Sequence, residues 1–307
     1  MPDTADLPAS AASERRAAAE AGSSVEELRR SAAEQLTRAR VPSAEVDADL
    51  LLAHVLGVTR GRVQALALTG GTVPAEAADA FARLVDRRAA REPLQHLTGV
   101  AAFRTLELSV GPGVFVPRPE TEQVAQVAID ALRADPSPEP IAVDLGTGSG
   151  AIALSLAAEV PHASVVGVEN SPQAFLWTRE NLRRTGLGNA RLVFTDLADA
   201  LPELDGRVSV VVSNPPYIPR GAVPRDPEVR LHDPEAALYG GEDGLDVIRI
   251  VSRTGLRLLR PGGTLVLEHG ELQGEDVRAL LTADGWRDAA TLPDLTGRDR
   301  TTTAIRP

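Results

Sequence analysis

A glycine-rich loop between an apolar strand and a helix constrains this 307-residue chain more than any other feature. The stretch IAVDLGTGSGAIAL, residues 141–154, predicts a strand, then Gly146-Thr147-Gly148-Ser149-Gly150, and then a helix. Glycine lets a backbone turn sharply and approach a ligand closely, and the helix N-terminus beyond it presents unpaired N–H groups. The loop therefore predicts an α/β sheet with a ligand site at the carboxyl end of this strand.

Helix and strand patterns alternate from Glu120 to the C-terminus. Strands are predicted over Ile141–Leu145, Ser164–Glu169, Arg191–Thr195, Val208–Ser213, Thr264–Glu268, Trp286–Thr291 and Thr301–Ile305. Helices are predicted over 120–133, 151–159, 172–185 and 244–260. Repeated βα units indicate a mainly parallel sheet covered on both faces, and the last two strands form a hairpin that makes one edge antiparallel.

The chain before Glu120 has a different organisation. Residues 1–23 are rich in Ala and Ser and predict a disordered tail. Residues 24–97 predict a small helical domain, with Ser24 and Ser43 as helix caps and Pro74 in the first turn of a third helix. Residues 98–119 alternate and are broken by Gly and Pro, which predicts a β-hairpin linking this domain to the α/β domain, residues 120–307.

Composition narrows the class of protein. No apolar run approaches the ~18 residues of a membrane span, so we expect a soluble protein. We also expect it to be cytoplasmic and monomeric. The absence of cysteine excludes disulfides and thiolate metal sites, and the five histidines lack metal-site spacing, so no metal is expected. The net charge is −11, and residues 93–307 contain 29 acidic residues against 20 arginines, which disfavours direct nucleic acid binding.

The acidic residues near the glycine loop indicate which cofactor binds there. Glu169 ends the second strand, about 20 residues beyond the loop, where a carboxylate can accept hydrogen bonds from ribose hydroxyls. Gly146, Gly148 and Ala151 also satisfy the loose dinucleotide fingerprint. Asp144, however, would repel a pyrophosphate, whereas it suits the cationic methionine part of S-adenosyl-L-methionine.

The sequence Asn214-Pro215-Pro216-Tyr217 ends the fourth predicted strand, so it faces the glycine loop across one crevice. This arrangement suits an acceptor nitrogen that carries two N–H donors. The Asn214 side-chain carbonyl and the Pro215 backbone carbonyl can accept both hydrogens and stabilise the positive charge that develops on nitrogen during methyl transfer. The prolines fix the backbone, and Tyr217 offers a flat wall to a planar acceptor.

These motifs, together with EPLQHLTGVAAF, PGVFVPRPETE, HDPEAALYGGEDGLDVIRIV, LEHGELQG and GRDR, resemble the bacterial protein-(glutamine-N5) methyltransferase family, PrmC (also called HemK). The resemblance covers nearly the whole chain. It implies a class I S-adenosylmethionine-dependent methyltransferase fold, Rossmann-like, with a seven-stranded sheet and a helical N-terminal domain that docks the substrate. The implied substrate is the glutamine of the Gly-Gly-Gln motif in class-I peptide chain release factors.

The resemblance also implies residue roles. Gly146, Thr147, Gly148, Ser149 and Gly150 would wrap the methionine part of the cofactor, and Glu169 would hold its ribose. Asp196 and Leu197 would lie by the adenine. Asn214, Pro215, Pro216 and Tyr217 would hold the glutamine amide, with Asn214, Pro215 and Tyr217 acting in catalysis and Asn214 also contacting the cofactor.

Some residues and functions have competing interpretations. Arg118 and Glu120 either line the cofactor cleft or form an interdomain ion pair, and His269 favours a structural hydrogen bond. The main alternative function is amino methylation of adenine or guanine in nucleic acid, which uses the same Asn-Pro-Pro-Tyr chemistry. A non-catalytic module that binds release factor and cofactor is a further alternative, which the intact Asn214 and glycine loop disfavour. An NAD-dependent oxidoreductase is another, but it would leave Asn-Pro-Pro-Tyr without a role.

Overall fold

The computed structural model describes residues 22–307, so most of the tail predicted over residues 1–23 lies outside the described residues. The described chain forms two compact units, a helical one that ends at Thr98 and an α/β one over Gly99–Pro307. Within the described chain, no helix combines the length and the apolar character that a membrane crossing requires.

The helical unit contains five helices and one short pair of strands. Strands β1 and β2 are Ser23–Ser24 and Thr72–Val73, and the helices are α1 Val25–Arg38, α2 Ala44–Leu56, α3 Arg60–Leu68, α4 Ala75–Ala89 and α5 Leu94–Thr98. The Ser24 hydroxyl caps α1 by accepting from the Glu27 backbone N–H at 3.4 Å, as predicted. Ser43 lies at the N-cap of α2 but makes no side-chain cap bond, and Pro74 precedes α4 instead of lying in its first turn.

The α/β unit begins with a β-hairpin and continues as alternating helices and strands. Its strands are β3 Val100–Phe103, β4 Leu106–Ser109, β5 Ile141–Leu145, β6 Ser164–Glu169, β7 Ala190–Phe194, β8 Val208–Ser213, β9 Leu259–Glu268, β10 Arg287–Pro293 and β11 Asp299–Ile305. Its helices are α6 Thr121–Arg133, α7 Ala151–Glu159, α8 Pro172–Thr185, α9 Pro227–His232, α10 Asp246–Leu258 and α11 Gly274–Ala283.

Strands β5 to β11 form one seven-stranded sheet in the order β10-β11-β9-β8-β5-β6-β7. The neighbours from β9 to β7 are parallel, and β11 inserts antiparallel between β9 and β10. From β5 the chain moves outward through β6 and β7, and it then returns to add β8 on the other side of β5. The carboxyl ends of β5 and β8 therefore flank the point where the strand order reverses, which is where α/β sheets bind ligands.

Both faces of this sheet are covered by helices. Residues of α6 and α7, such as Ile129 and Leu156, pack with Val210 and Val212 on one face. Residues of α10 and α11 pack with Val211 on the other face. Alternate residues of β8 thus enter opposite cores, which explains why three consecutive positions, Val210, Val211 and Val212, are all valine.

The predicted α/β fold class, with a mainly parallel sheet, an antiparallel edge and a helical N-terminal part, is confirmed. Two helices of the α/β unit, α9 and α11, were not predicted. Strand β9 also begins five residues before its predicted start at Thr264. The hairpin predicted within 98–119 is present as β3 and β4, and its Phe103 and Leu108 are buried in the core on the α6 side of the sheet.

Candidate active site

A cavity of about 950 Å³ opens where β5 and β8 end. The glycine loop lines one side of it, and Asn214 to Tyr217 line another. Two further segments contribute to the walls: the strap, which we define as residues 110–120, and the lip, which we define as residues 218–247. The segment 270–276 also lines the cavity. The cavity therefore brings together the two motifs that the sequence placed across one crevice.

Three glycines shape the loop after β5. Gly146, Gly148 and Gly150 have φ of 77°, 59° and 87°, in the left-handed region that disfavours residues with a Cβ atom. No atom lies within 4 Å of the Cβ positions that Gly146 and Gly148 would have, so both open onto free space. The loop is a cradle of backbone that a ligand can approach closely.

Asp144 supports this loop from beneath and does not line the cavity. Its carboxylate accepts from the Thr147 hydroxyl at 2.6 Å and from the Ala153 backbone N–H at 3.1 Å. The residue is 1% exposed, and burial raises the pKa of this carboxyl to about 7. The structure thus places Asp144 under the loop, and its Oδ1 atom has no hydrogen-bond partner among the described residues. Its contact with the cofactor stays a prediction.

Glu169 does line the cavity, at the end of β6. One carboxylate oxygen, Oε2, accepts from the Gly148 backbone N–H at 2.8 Å, and Oε1 accepts from the backbone N–H groups of Asn170 and Ser171 at 3.0 and 2.8 Å. The carboxylate therefore ties the glycine loop to β6. Oε2 accepts only one of these bonds, so it retains acceptor capacity toward the cavity.

The two residues that were expected near the adenine differ in whether they line the cavity. Leu197 lines the cavity and is half-buried. Asp196 is exposed, does not line the cavity, and accepts from the Asn170 side-chain amide at 3.1 Å and from the Ala198 backbone N–H at 3.0 Å. Asp196 thus shapes the loop beside the cavity, and Asn170, which the sequence analysis did not select, lines it.

Asn214 follows β8 at a junction between two strand ends. The preceding Ser213 hydroxyl donates to the Leu145 backbone carbonyl at 2.6 Å, which fastens the end of β8 to the end of β5. The Asn214 side-chain amide donates from Nδ2 to Thr121 Oγ1 at 3.3 Å. The other end of the amide, Oδ1, is thus left to accept a hydrogen bond from a ligand.

The backbone after Asn214 is held by remote residues. The Tyr217 carbonyl accepts from Gln273 Nε2 at 3.0 Å, and the Ile218 backbone N–H donates to the Leu238 carbonyl at 2.9 Å. A Cβ at Gly240 would lie 2.4 Å from the Pro216 carbonyl oxygen, so only glycine allows this approach. Within residues 22–307, no hydrogen bond uses the Pro215 carbonyl, which leaves it available as an acceptor.

The Tyr217 ring lines the cavity, and its hydroxyl enters a buried polar cluster beneath. The hydroxyl donates to Glu268 Oε1 at 3.4 Å and accepts from Arg300 Nη1 at 3.3 Å. Burial raises the pKa of Tyr217, and it raises the pKa of Glu268 to about 7. The sequence analysis missed Thr121, Glu268 and Arg300 as members of the site, although each lies in a stretch that carries the family resemblance.

The strap forms the wall that faces the lip. Arg118 donates to Asp233 in the lip at 2.7 Å and lies 5.0 Å from the centre of the Phe115 ring. Both partners of this ion pair belong to the α/β unit, so the interdomain pair considered above is wrong, and Arg118 and Glu120 do line the cavity. Trp177 packs against Gly111 of the strap and donates from its ring nitrogen to the Pro112 carbonyl at 3.2 Å.

His269 lies just after β9 and is fully buried. One ring nitrogen pairs with the Gly270 carbonyl at 2.9 Å, and the other pairs with the Thr302 hydroxyl at 2.8 Å. Burial lowers the pKa of this ring, which favours the neutral form. The predicted structural role of His269 is confirmed.

Comparisons with known proteins agree with this geometry. Residues 27–99 match the family model of the PrmC N-terminal domain, and residues 105–226 match that of the methyltransferase small domain. The release factor glutamine methyltransferase of Streptomyces coelicolor is 53% identical, over 89% of this chain and 95% of its own. The enzyme of the same name from Bifidobacterium longum is 46% identical, over 88% and 95%.

One relative is named for a different methyl acceptor. The 4-amino-L-phenylalanine/4-methylamino-L-phenylalanine methyltransferase of Streptomyces pristinaespiralis is 44% identical, over 89% of this chain and 91% of its own. Both kinds of relative are methyltransferases named for a nitrogen-bearing acceptor.

Proposed function

The chain belongs to the release factor glutamine methyltransferase family, and on that premise we propose that it methylates the side-chain amide nitrogen, N5, of the glutamine in the Gly-Gly-Gln motif of class-I peptide chain release factors. The methyl donor is S-adenosyl-L-methionine. The observation that carries the proposal is the position of Asn214 and Pro215, two neutral acceptors that share one cavity with the glycine loop. The chain is also 53% identical to the Streptomyces coelicolor release factor glutamine methyltransferase.

The residues of the cavity fit this cofactor. The open backbone at Gly146 and Gly148 can receive its methionine part, Glu169 Oε2 can accept from a ribose hydroxyl, and Leu197 offers an apolar surface to a base. When bound, S-adenosyl-L-methionine supplies an electrophilic methyl group on a sulfonium centre. Asp144 contributes indirectly in this proposal, because it anchors Thr147 of the loop.

The acceptor amide is held from the other side of the cavity. Asn214 Oδ1 and the Pro215 carbonyl accept the two N–H groups of the glutamine side chain. Both acceptors are neutral, so neither has to lose a proton before it can accept a hydrogen bond. Their hydrogen bonds become stronger as positive charge develops on the glutamine nitrogen. The two prolines restrict the backbone, and the Tyr217 ring packs against the planar amide. These contacts position the nitrogen lone pair, which amide resonance makes a poor nucleophile.

The test is methyl transfer from labelled S-adenosyl-L-methionine into purified release factor. The matched control is a release factor with Gly-Gly-Ala in place of Gly-Gly-Gln. Label in the unmodified factor and none in the control would support both the substrate and the acceptor residue. Bulk DNA and RNA, and free 4-amino-L-phenylalanine, are run beside them. Label in either of those samples but not in release factor would contradict the proposal and assign the same site chemistry to another acceptor.

We further propose that the helical unit docks the intact release factor. This unit has its own apolar core, which includes Leu51 and Phe81, whereas every residue that lines the cavity lies in the α/β unit. Leu68, at the end of α3, is 90% exposed. We expect Leu68→Asp to raise KM for intact release factor several-fold and to leave KM for a short Gly-Gly-Gln peptide unchanged. Leu295→Asp is the matched control, since Leu295 is 97% exposed in the α/β unit. Equal KM changes for factor and peptide would contradict a docking role.

The proposed substrate acts in protein synthesis, so we propose a cytoplasmic location.

A further inference from the structure

Helix α8 contacts two walls of the cavity. The strap packs on it through an apolar cluster that is separate from the two cores of the sheet. The strap supplies three buried valines to this cluster, and α8 supplies Ala174 and Trp177. The next residue of the helix, Thr178, donates from its hydroxyl to the Gly148 carbonyl of the glycine loop. The same helix therefore supports the strap and the glycine loop.

Asn181, three residues further along α8, contacts both segments with one side chain and is 1% exposed. Its Oδ1 accepts from the Ser109 backbone N–H at 2.7 Å. Its Nδ2 donates to the Ser109 carbonyl at 3.0 Å and to the Ser149 carbonyl at 2.9 Å. Ser109 is the residue that precedes the strap, and Ser149 belongs to the glycine loop. The amide nitrogen thus uses one hydrogen for each segment.

These three bonds fix the orientation of the Asn181 amide. In the reverse orientation, Nδ2 would face the Ser109 N–H, and Oδ1 would face two carbonyls, so donor would meet donor and acceptor would meet acceptor. A buried polar group without a partner is costly, and Ser109 and Ser149 are themselves buried. The side chain therefore holds the end of β4 and the glycine loop at one fixed separation.

We propose that Asn181 is a positioning residue that couples the strap to the glycine loop, so that cofactor binding at the loop also orders the strap. Asn181 acts through the two backbone segments and does not itself line the cavity. The inference rests on the proposal above that the glycine loop receives the methionine part of the cofactor. It does not depend on which acceptor is methylated.

This coupling links the cofactor to the acceptor side of the cavity. The strap lines the cavity, and its Arg118 donates to Asp233 of the lip at 2.7 Å. An ordered strap therefore also fixes one contact of the lip. Coupling between two binding events is reciprocal, so a strap that is ordered by the cofactor must in turn raise the affinity for the cofactor. Loss of the Asn181 side chain should consequently be measurable both in cofactor affinity and in the strap.

The first experiment measures the dissociation constant of S-adenosyl-L-methionine in Asn181→Ala, with Asn189→Ala as the matched control. The Asn189 side-chain amide also donates to backbone carbonyls, among them those of Ala157 and Ala163 at 3.0 Å, but at the end of β6 opposite to the cavity. We expect the dissociation constant to rise about tenfold in Asn181→Ala and to stay within about twofold in Asn189→Ala, although both variants lower the unfolding midpoint. An unchanged constant in Asn181→Ala, or an equal rise in both variants, would overturn the coupling.

The second experiment follows backbone hydrogen exchange in the strap and in the glycine loop by mass spectrometry, with and without the cofactor. In the wild type, we expect saturating cofactor to slow exchange in both segments. In Asn181→Ala, we expect it to slow exchange in the glycine loop and to leave the strap exchanging fast. Protection of the loop without protection of the strap in the wild type would overturn the coupling without the use of any variant. Equal protection of the strap in the wild type and in Asn181→Ala would overturn it as well.

Thr178→Val tests whether the effect belongs to Asn181 or to α8 as a whole. Valine keeps the shape of threonine and removes the hydroxyl that donates to the Gly148 carbonyl. Within residues 22–307, Thr178 makes no hydrogen bond to the strap. Without cofactor, we therefore expect the strap of Thr178→Val to exchange as in the wild type and that of Asn181→Ala to exchange faster. An equal increase in both variants would overturn the role of Asn181.

These measurements separate the inference from the proposed function, because none of them uses a methyl acceptor. Absence of methyl transfer to release factor would contradict the proposed substrate, and the exchange pattern would still decide the role of Asn181. Cofactor that protects neither the loop nor the strap of the wild type would contradict the proposed cofactor site and the coupling together. Protection of the loop alone would overturn only the coupling.

Discussion

The two loops that face each other across the cavity are built on different principles. The glycine loop is held by residues close to it in the sequence: Asp144 lies just before it, and Glu169 is 21 residues from the Gly148 whose N–H it accepts. The Asn-Pro-Pro-Tyr loop is held by partners far along the chain. Asn214 contacts Thr121, 93 residues away, and the Tyr217 carbonyl contacts Gln273, 56 residues away.

This difference separates what each loop can do. The glycine loop is fixed by its backbone conformation and by contacts from the next βα unit, β6 and α8, so it forms once β5 and β6 have paired, and it binds a ligand through its backbone. A loop fixed by remote side chains acquires its geometry only when the whole sheet has assembled. We therefore expect damage to the glycine loop to affect cofactor affinity, and damage to the other loop to affect turnover.

The largest effect is expected when Asn214, which accepts a hydrogen bond from the substrate amide, is replaced. Asn214→Ala should lower kcat by about 10²- to 10³-fold, because it removes a partner that stabilises charge developing in the transition state. The cofactor affinity should stay within about twofold. The matched control is Asn170→Ala, since Asn170 lines the same cavity on the glycine-loop side. There the cofactor dissociation constant should change and kcat should not. Single-turnover kinetics and cofactor titration measure both, and wild-type kcat in Asn214→Ala would contradict the mechanism.

The next effect is expected in the glycine loop. Gly148 has φ of 59°, and alanine in this region costs on the order of 1–2 kcal/mol. Gly148→Ala should therefore raise the cofactor dissociation constant about tenfold. Gly186→Ala carries a similar backbone cost, with φ of 66° at the C-terminal end of α8, and it should destabilise the fold without changing cofactor affinity. If both variants bind the cofactor equally well, the cradle does not depend on this conformation.

A smaller loss of turnover is expected when a remote anchor is removed. Gln273→Ala deletes the bond to the Tyr217 carbonyl and a second bond from the Gly270 N–H at 2.9 Å. We expect kcat to fall several-fold with cofactor affinity unchanged. Gln123→Ala is the control, because Gln123 Nε2 also donates to a backbone carbonyl, that of Pro293, at 2.6 Å. A loss of cofactor affinity with unchanged kcat in Gln273→Ala would remove the distinction between the loops.

The last expected effect concerns stability and not activity. The pKa of Asp144 is raised from 3.8 to about 7, so the folded state holds this proton more tightly than the unfolded state does. Its contribution to stability is fully present below pH 3.8 and is lost as the pH rises to about 7. The unfolding free energy of the wild type, measured against Asp144→Asn, should thus fall by on the order of 1 kcal/mol per pH unit across this range. Urea unfolding at several pH values measures this difference, and a difference that stays constant from pH 4 to 8 would contradict the assignment.

The sequence predicted the sheet and most of its helices because their signals are local. Strands β5, β6 and β8 match their predicted bounds, since each is a short segment rich in apolar and β-branched residues next to a turn signal. Helix α11 was missed although Val277, Leu280 and Leu281 have the i, i+3, i+4 spacing of an apolar helix face, because the helix is short and no side chain caps its N-terminus. Strand β9 was predicted too short because Pro261, Gly262 and Gly263 in its first half resemble a turn.

The residues of the candidate site were also predicted where their signals are local and missed where they are not. The residues that face the cavity with their backbone, such as Gly146 and Pro215, were found through spacing and residue type. The contacts of Asp144 beneath the loop were not predicted, because a sequence does not show which way a buried carboxylate turns. Thr121, Glu268 and Gln273 were missed because they reach the loop only through the folded sheet, from helix α6, strand β9 and the segment after it.

The packing of Trp177 on the strap gives the cavity an optical reporter of its own. The chain has two tryptophans, and the other, Trp286, is 4% exposed and donates to the Ser252 hydroxyl in the core. Trp286→Phe would thus leave a single tryptophan, packed against the strap. Its emission would follow cofactor binding in real time, without a label and in the absence of any acceptor.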